Sequence, residues 1–128
     1  MTEFRQHEAL VEAYAGITAV VGDLDDLDLQ RPTRCRGWLV ADLLATLTTE
    51  AAVHHLDLTV DLPDAPRPGP LARTVAVTTM DGLLSDDAVR PAGWTDEEYL
   101  LKATGRLPLT DADRTELGEV AGWFPLLA

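Results

Sequence analysis

Apolar residues recur with helical spacing from the start of the chain. Phe4, Leu10, Val11, Tyr14, Ile17, Val20 and Val21 predict a first helix over Thr2 to Val21, with Gly22 as a left-handed stop. A polar connection follows, opening on Asp23, Asp25, Asp26 and Asp28 and closing on Arg31, Arg34 and Arg36 around Pro32. The second and longest helix begins after Gly37 and Trp38 and runs to about Leu62, where Pro63 removes an amide donor and disfavours helical geometry before it. Beyond a link rich in Pro and Gly, Pro70 suits the first position of a third helix running to about Leu84. Its β-branched Thr74, Val75, Val77, Thr78 and Thr79 work against helix propensity. Thr95 and Glu98 have the spacing of a reciprocal cap and open a short fourth helix toward Ala103, which Gly105 stops. Thr110 caps a last helix through Leu117 and Val120, and Trp123, Phe124, Leu126 and Leu127 form an apolar tail that docks on the core.

These elements predict one all-α domain over 1–128, with two long helices over 1–62 and three shorter ones plus the tail over 70–128. Composition agrees. Of the 128 residues 46% are hydrophobic and only 5% aromatic, so the core is built mainly from Leu, Val and Ala, the vocabulary of packed helices. Asp and Glu number 22 against 10 Lys and Arg, and the net charge of -12 repels phosphate backbones and anionic lipid, which argues against nucleic acid and membrane partners. Ala13 to Gly22, the longest uncharged apolar stretch, falls short of the ~20 residues that span a bilayer, and acidic Glu3 stands where a secretion signal carries positive charge. A cytoplasmic protein is expected. The single Cys35 cannot form an internal disulfide and reads as a small buried residue.

The candidate chemistry lies on the second helix. On a wheel at about 100° per residue with Val40 at zero, Val40, Leu43, Leu44, Leu47, Ala51 and Leu58 share one apolar arc, read as the core face. Glu50 and His54 fall at about 280° and 320°, at the edge of that arc and one turn apart. A carboxylate and an imidazole so placed make half of a divalent metal site of the kind helical bundles build. Asp57, a turn further on, either supplies a third ligand or hydrogen-bonds the imidazole to fix its tautomer. His55 points about 100° away from His54. His7, on the inner stripe of the first helix with Phe4, Val11 and Tyr14, is a remoter candidate. The plainer reading is a partly solvated Glu and His pair. Likewise, Arg31, Arg34 and Arg36 either cradle a small anion or neutralise the neighbouring aspartates.

The string Arg31-Pro32-Thr33-Arg34-Cys35-Arg36-Gly37-Trp38, followed by Val40-Ala41-Asp42-Leu43-Leu44, resembles the mycothiol-dependent maleylpyruvate isomerase family of DinB-like proteins. Thr49-Glu50-Ala51-Ala52-Val53-His54-His55-Leu56-Asp57-Leu58 is similar to the family's metal-binding helix, and the stretch from Arg90 through Trp94, Tyr99, Lys102 and Arg106 to Phe124-Pro125-Leu126-Leu127 is similar to its closing segment. The resemblance implies a DinB-like helical bundle, a divalent ion, typically zinc, held by two histidines and a glutamate, and mycothiol as a thiol cofactor that attacks a substrate double bond before cis to trans rotation. Glu50 and His54 carry over, but Thr46 stands where the family has its other histidine, and a hydroxyl is a poor zinc ligand. Glu50 also follows Trp38 by only 12 positions, far fewer than in the family, as though an internal segment had been removed.

The resulting expectation is a shortened bundle of about five helices that binds a divalent metal through Glu50 and His54, with Asp57, His7 or solvent completing the site. It would act as a thiol-dependent isomerase or thiol transferase on a small carboxylate clamped by Lys102 and Arg106. The alternative is an inactive shortened relative serving as a helical binding or dimerisation module, with the second helix packed on its mate in a homodimer.

Overall fold

A computed structural model describes residues 2–84, 86 and 88–127, with side chains from Arg5 onward, so the Phe4 side chain lies outside the described residues. The fold is all-α. Its helices are α1 (Thr2–Gly22), α2 (Val40–Leu58), α3 (Pro70–Leu83), α4 (Asp96–Ala103) and α5 (Asp111–Leu117), with 3-10 turns at Asp28–Gln30 and Gly118–Trp123. No strand occurs among the described residues, and none of the helices is long and apolar enough to cross a membrane. The chain divides into two compact units, Met1–Asp42 and Leu43–Ala128.

In the first unit every residue of α1 from Arg5 to Gly22 is exposed. The acidic connection partly satisfies itself: Asp25 and Asp28 each donate a backbone N–H to the other's carboxylate, at 3.1 and 2.8 Å. Arg31 Nε donates to Asp28 Oδ1 at 2.9 Å, so this arginine neutralises a neighbouring aspartate. Residues 31–40 form a tight loop closed by Thr33 N–H to the Trp38 carbonyl and by Val40 N–H to that of Arg31, at 3.0 and 2.9 Å. Gly37 sits at φ 83°, a left-handed conformation that costs glycine little. Cys35, expected to be buried, is exposed, because the loop residues around it from Arg34 to Leu39 are themselves exposed and offer it no core.

α2 begins where Asp42 Oδ2 accepts the Leu39 N–H at 2.8 Å, and it ends at Leu58 rather than Leu62. The Thr59 hydroxyl donates to the His55 carbonyl at 3.0 Å and accepts from Arg67 Nη1 at 3.3 Å, tying the end of the helix to the proline-rich link before Pro63 is reached. In the second unit the core joins Ala52 and Leu56 of α2, Ala76 and Met80 of α3, Leu84, Trp94, and Tyr99, Leu100 and Ala103 of α4.

The face that α2 buries differs from the expected one. Thr49, Ala52, Val53 and Leu56 are buried, centred at about 170° on the same wheel, whereas Leu58 of the predicted arc is 71% exposed and Leu43, Leu44 and Leu47 are half-buried. The Thr49 hydroxyl donates to Thr79 Oγ1 of α3 at 3.2 Å, and Ala52 and Leu56 enter the same core as Ala76 and Met80 of α3 and Tyr99, Leu100 and Ala103 of α4. A wheel ranks faces by hydrophobicity, but helices meet where their surfaces interdigitate.

Asp113 organises the last two helices. Thr110 caps α5 by accepting the Asp113 N–H at 3.1 Å, and the Asp113 carboxylate accepts the Thr110 N–H at 2.9 Å, a reciprocal cap. The same carboxylate accepts from Trp94 Nε1 at 2.9 Å and from Lys102 Nζ at 2.6 Å. At Thr95 only half of the expected reciprocal cap forms: Thr95 Oγ1 accepts the Glu98 N–H, while the Glu98 carboxylate turns to Lys102 Nζ at 2.8 Å. The ammonium group also lies 4.8 Å from the Trp94 ring centroid. The predicted tail docks in part. Leu126 and Leu127 donate their N–H groups to the Ala103 carbonyl, and Phe124 packs edge-on against Trp94 while Trp123 stays exposed.

Lys102 is only 6% exposed, so removing either member of its pair strands a buried charge. Lys102→Ala is expected to cost about 3–5 kcal/mol in urea unfolding. Burial alone would raise the Asp113 pKa, but hydrogen bonds from Lys102, Thr110 and Trp94 outweigh it and hold the group well below its ordinary 3.8. A depressed carboxylate stabilises the fold fully above its unfolded pKa and loses that contribution as pH falls toward the folded value. The stability gap between the wild type and Asp113→Asn should therefore be constant from neutral pH to about 5 and shrink below about 4. Urea midpoints measured across this range check it.

Candidate functional site

The reversed burial of α2 sends its opposite side outward. Glu50 is exposed and the His54 side chain is 67% exposed, so the pair faces the surface instead of the bundle interior, correcting the inward orientation expected from the wheel. Both residues line a depression of about 110 Å³ with Thr46, Val53, Thr104 and Arg106. Thr46, Glu50 and His54 occupy successive turns of α2 along it.

Behind His54 stands a chain of charge. His54 Nδ1 lies 3.0 Å from Asp57 Oδ2, and Asp57 accepts from Arg106 twice, Oδ1 from Nε at 2.6 Å and Oδ2 from Nη2 at 2.9 Å. The two-pronged contact with Arg106 lowers the Asp57 pKa to about 2, with a further contribution from His54, and the same contact raises that of Arg106. An ionised carboxylate only accepts, so Nδ1 of the neutral imidazole carries the hydrogen and Nε2 keeps its lone pair free. Gly105, at φ 76°, turns the chain at the end of α4, where Arg106 N–H and Leu107 N–H both return to the Leu101 carbonyl. That turn sets Arg106 toward α2.

Asp57 thus takes the second of its two expected roles, orienting the imidazole, and its carboxylate is engaged by Arg106. His55 Nε2 meets the Pro66 carbonyl at 2.7 Å and pins the proline-rich link. His7 is exposed on α1, in the other unit. Neither expected clamp has the assumed role: Lys102 is buried against Asp113 and Glu98, and Arg106 is paired with Asp57. Among the described residues no group of three or more His, Cys, Asp or Glu is placed to hold a metal ion. What remains at the depression is the Glu50 carboxylate and His54 Nε2, an oxygen and a nitrogen donor on successive turns of α2.

Sequence reasoning missed Arg106 as the partner of Asp57, 49 positions away, because nothing local to either residue announces the other. Compared with protein-family models, curated proteins and solved structures, the chain finds no match.

The surface pair between Arg106 and Asp57 should contribute little to stability, about 0–1 kcal/mol, and chiefly order the imidazole. In Arg106→Ala and Asp57→Ala the nitrogen-15 resonances of His54 should move from those of one tautomer toward the averaged pattern of two, with the melting temperature nearly unchanged. A wild-type spectrum already averaged would contradict the geometry.

Proposed function

We propose that the chain binds a divalent cation through the Glu50 carboxylate and His54 Nε2, in support of thiol chemistry of the kind the maleylpyruvate isomerase resemblance implies. The observation that carries this reading is the Arg106–Asp57–His54 chain, with contacts of 2.6 to 3.0 Å. A carboxylate behind an imidazole is how proteins aim and strengthen a histidine ligand. When bound, a divalent cation supplies Lewis acidity that lowers the pKa of a coordinated thiol, giving a thiolate near neutral pH. Asp57 holds the proton at Nδ1, Glu50 supplies an anionic oxygen a turn away, and Val53 and Leu127 provide apolar wall. With Thr46 at the third position, water or the thiol sulfur fills what the protein leaves open. A depression of about 110 Å³ holds the reacting end of a small thiol or carboxylate, with the rest of a mycothiol-sized molecule lying outside it.

Calorimetric titration of the metal-free protein with zinc tests the reading. Binding should be abolished in Glu50→Ala and His54→Ala and weakened about 10–100-fold in Asp57→Asn. Zinc affinity unchanged in His54→Ala would refute the site. Turnover of maleylpyruvate with mycothiol by the zinc-loaded protein, above a metal-stripped control, tests the chemistry separately.

A further inference from the structure

In the first unit a run of exposed apolar residues lies along α1. Leu10, Val11, Tyr14, Ile17, Val20 and Val21 are each between 37% and 71% exposed. Within this set Leu10, Tyr14, Ile17 and Val21 alternate spacings of four, three and four, the 3.5-residue period of a two-stranded helical seam. We propose that α1 pairs antiparallel with α1 of a second copy of this chain.

Two features select this occupant. The first is self-complementarity. Reversing the helix about the Ala15–Gly16 peptide maps Leu10 onto Val21, Val11 onto Val20 and Tyr14 onto Ile17, so every exposed large apolar residue of the stripe meets another of the same stripe. A two-fold interface demands this property, in which residue i meets j and j meets i. Ala15 and Gly16 at the centre add little bulk, and nothing lies within 4 Å of where a Gly16 Cβ would stand, leaving room for a close approach.

The second feature is charge. Each α1 runs directly into Asp23, Asp25, Asp26 and Asp28. Parallel pairing would crowd both acidic connections at one end, whereas antiparallel pairing separates them by the length of the helix, ~30 Å, well beyond the Debye length. In that register Arg5 of each copy comes level with Asp26 of the other, while Glu8 comes level with Asp23. The polar positions Glu8 and Glu12 make α1 a poor match for anionic lipid, whose helical partners carry Lys and Arg on that face.

Sedimentation equilibrium of the full chain at about 100 μM should show a dimer. Ile17→Asp should weaken it roughly thirtyfold or more, with the far-ultraviolet spectrum and the melting transition of the second unit retained. In a Cys35→Ser background, mixing Leu10→Cys with Val21→Cys protein should give a disulfide-linked dimer under mild oxidation. Leu10→Cys alone should not, because its two copies lie about 16 Å apart along the axis. A monomer at that concentration, or a dimer indifferent to Ile17→Asp, overturns the proposal, and self-linking of Leu10→Cys overturns the antiparallel arrangement.

Discussion

The second unit depends on one buried carboxylate. Asp113 sits where the N-terminus of α5, the indole of Trp94 and the ammonium of Lys102 converge, and it accepts a hydrogen bond from each at 2.6 to 2.9 Å. A bare carboxylate there would be costly, but four arrangements reduce that cost together: the backbone N–H at the cap, the positive end of the short helix, the indole donor and the paired cation. In return the carboxylate fixes α5 against α4 and holds Trp94, which packs on Tyr99 and Phe124 at centroid distances of 5.9 and 6.0 Å. Tyr99 extends the network by donating its hydroxyl to Asp81 Oδ1 at 2.9 Å, which joins α4 to the end of α3. With only 5% aromatic residues, the chain concentrates two of its few rings in this core and ties each to an aspartate.

Rigidity at α4 reaches the candidate site through a short path. α4 ends at Ala103, whose carbonyl accepts from the C-terminal segment, and Gly105 then turns the chain so that Arg106 meets Asp57 on α2. Arg106 is therefore presented by backbone that the core already fixes, so its guanidinium loses little further freedom when it grips Asp57. The orientation of the exposed imidazole of His54 is inherited from buried contacts several residues away.

Boundaries and caps were legible in the sequence because their causes are local. Pro70 at a first helical turn, Thr95 and Thr110 as caps, and Gly105 as a stop act within a few residues, and each appears where expected. The Thr110 and Asp113 spacing held more than a cap reading extracts from it, since the further partners of Asp113 come from Trp94 and Lys102. The buried face of α2 was not legible. Leucines outnumber small residues on the predicted arc, yet α2 turns Thr49, Ala52, Val53 and Leu56 inward, and the core residues they join come from α3 and α4, far along the chain. Glu50 and His54 were identified as a spatial pair by their spacing alone, and that much needs only the helix. Whether they faced inward depended on packing, and on that point the wheel misled.

The outward orientation changes what the site can do. A cation held as proposed, by two side chains on an exposed helix face, would keep several solvent or substrate positions, so exchange would be fast and affinity would rest heavily on the surrounding field. The net charge of -12 concentrates cations near the surface, but over distances beyond ~8 Å that attraction is screened at physiological salt. Nearby, Asp57 contributes little net charge because Arg106 lies against it. Glu50 is then the acidic side chain of the depression, and under the proposed reading it would carry both the local electrostatics and one of the two coordinating positions. Converting it to a neutral residue would remove both at once, whereas losing His54 would leave the negative charge in place. Under the proposed reading the two side chains would be unequal partners: the imidazole would supply selectivity for borderline metals through its aimed nitrogen, and the carboxylate most of the attraction.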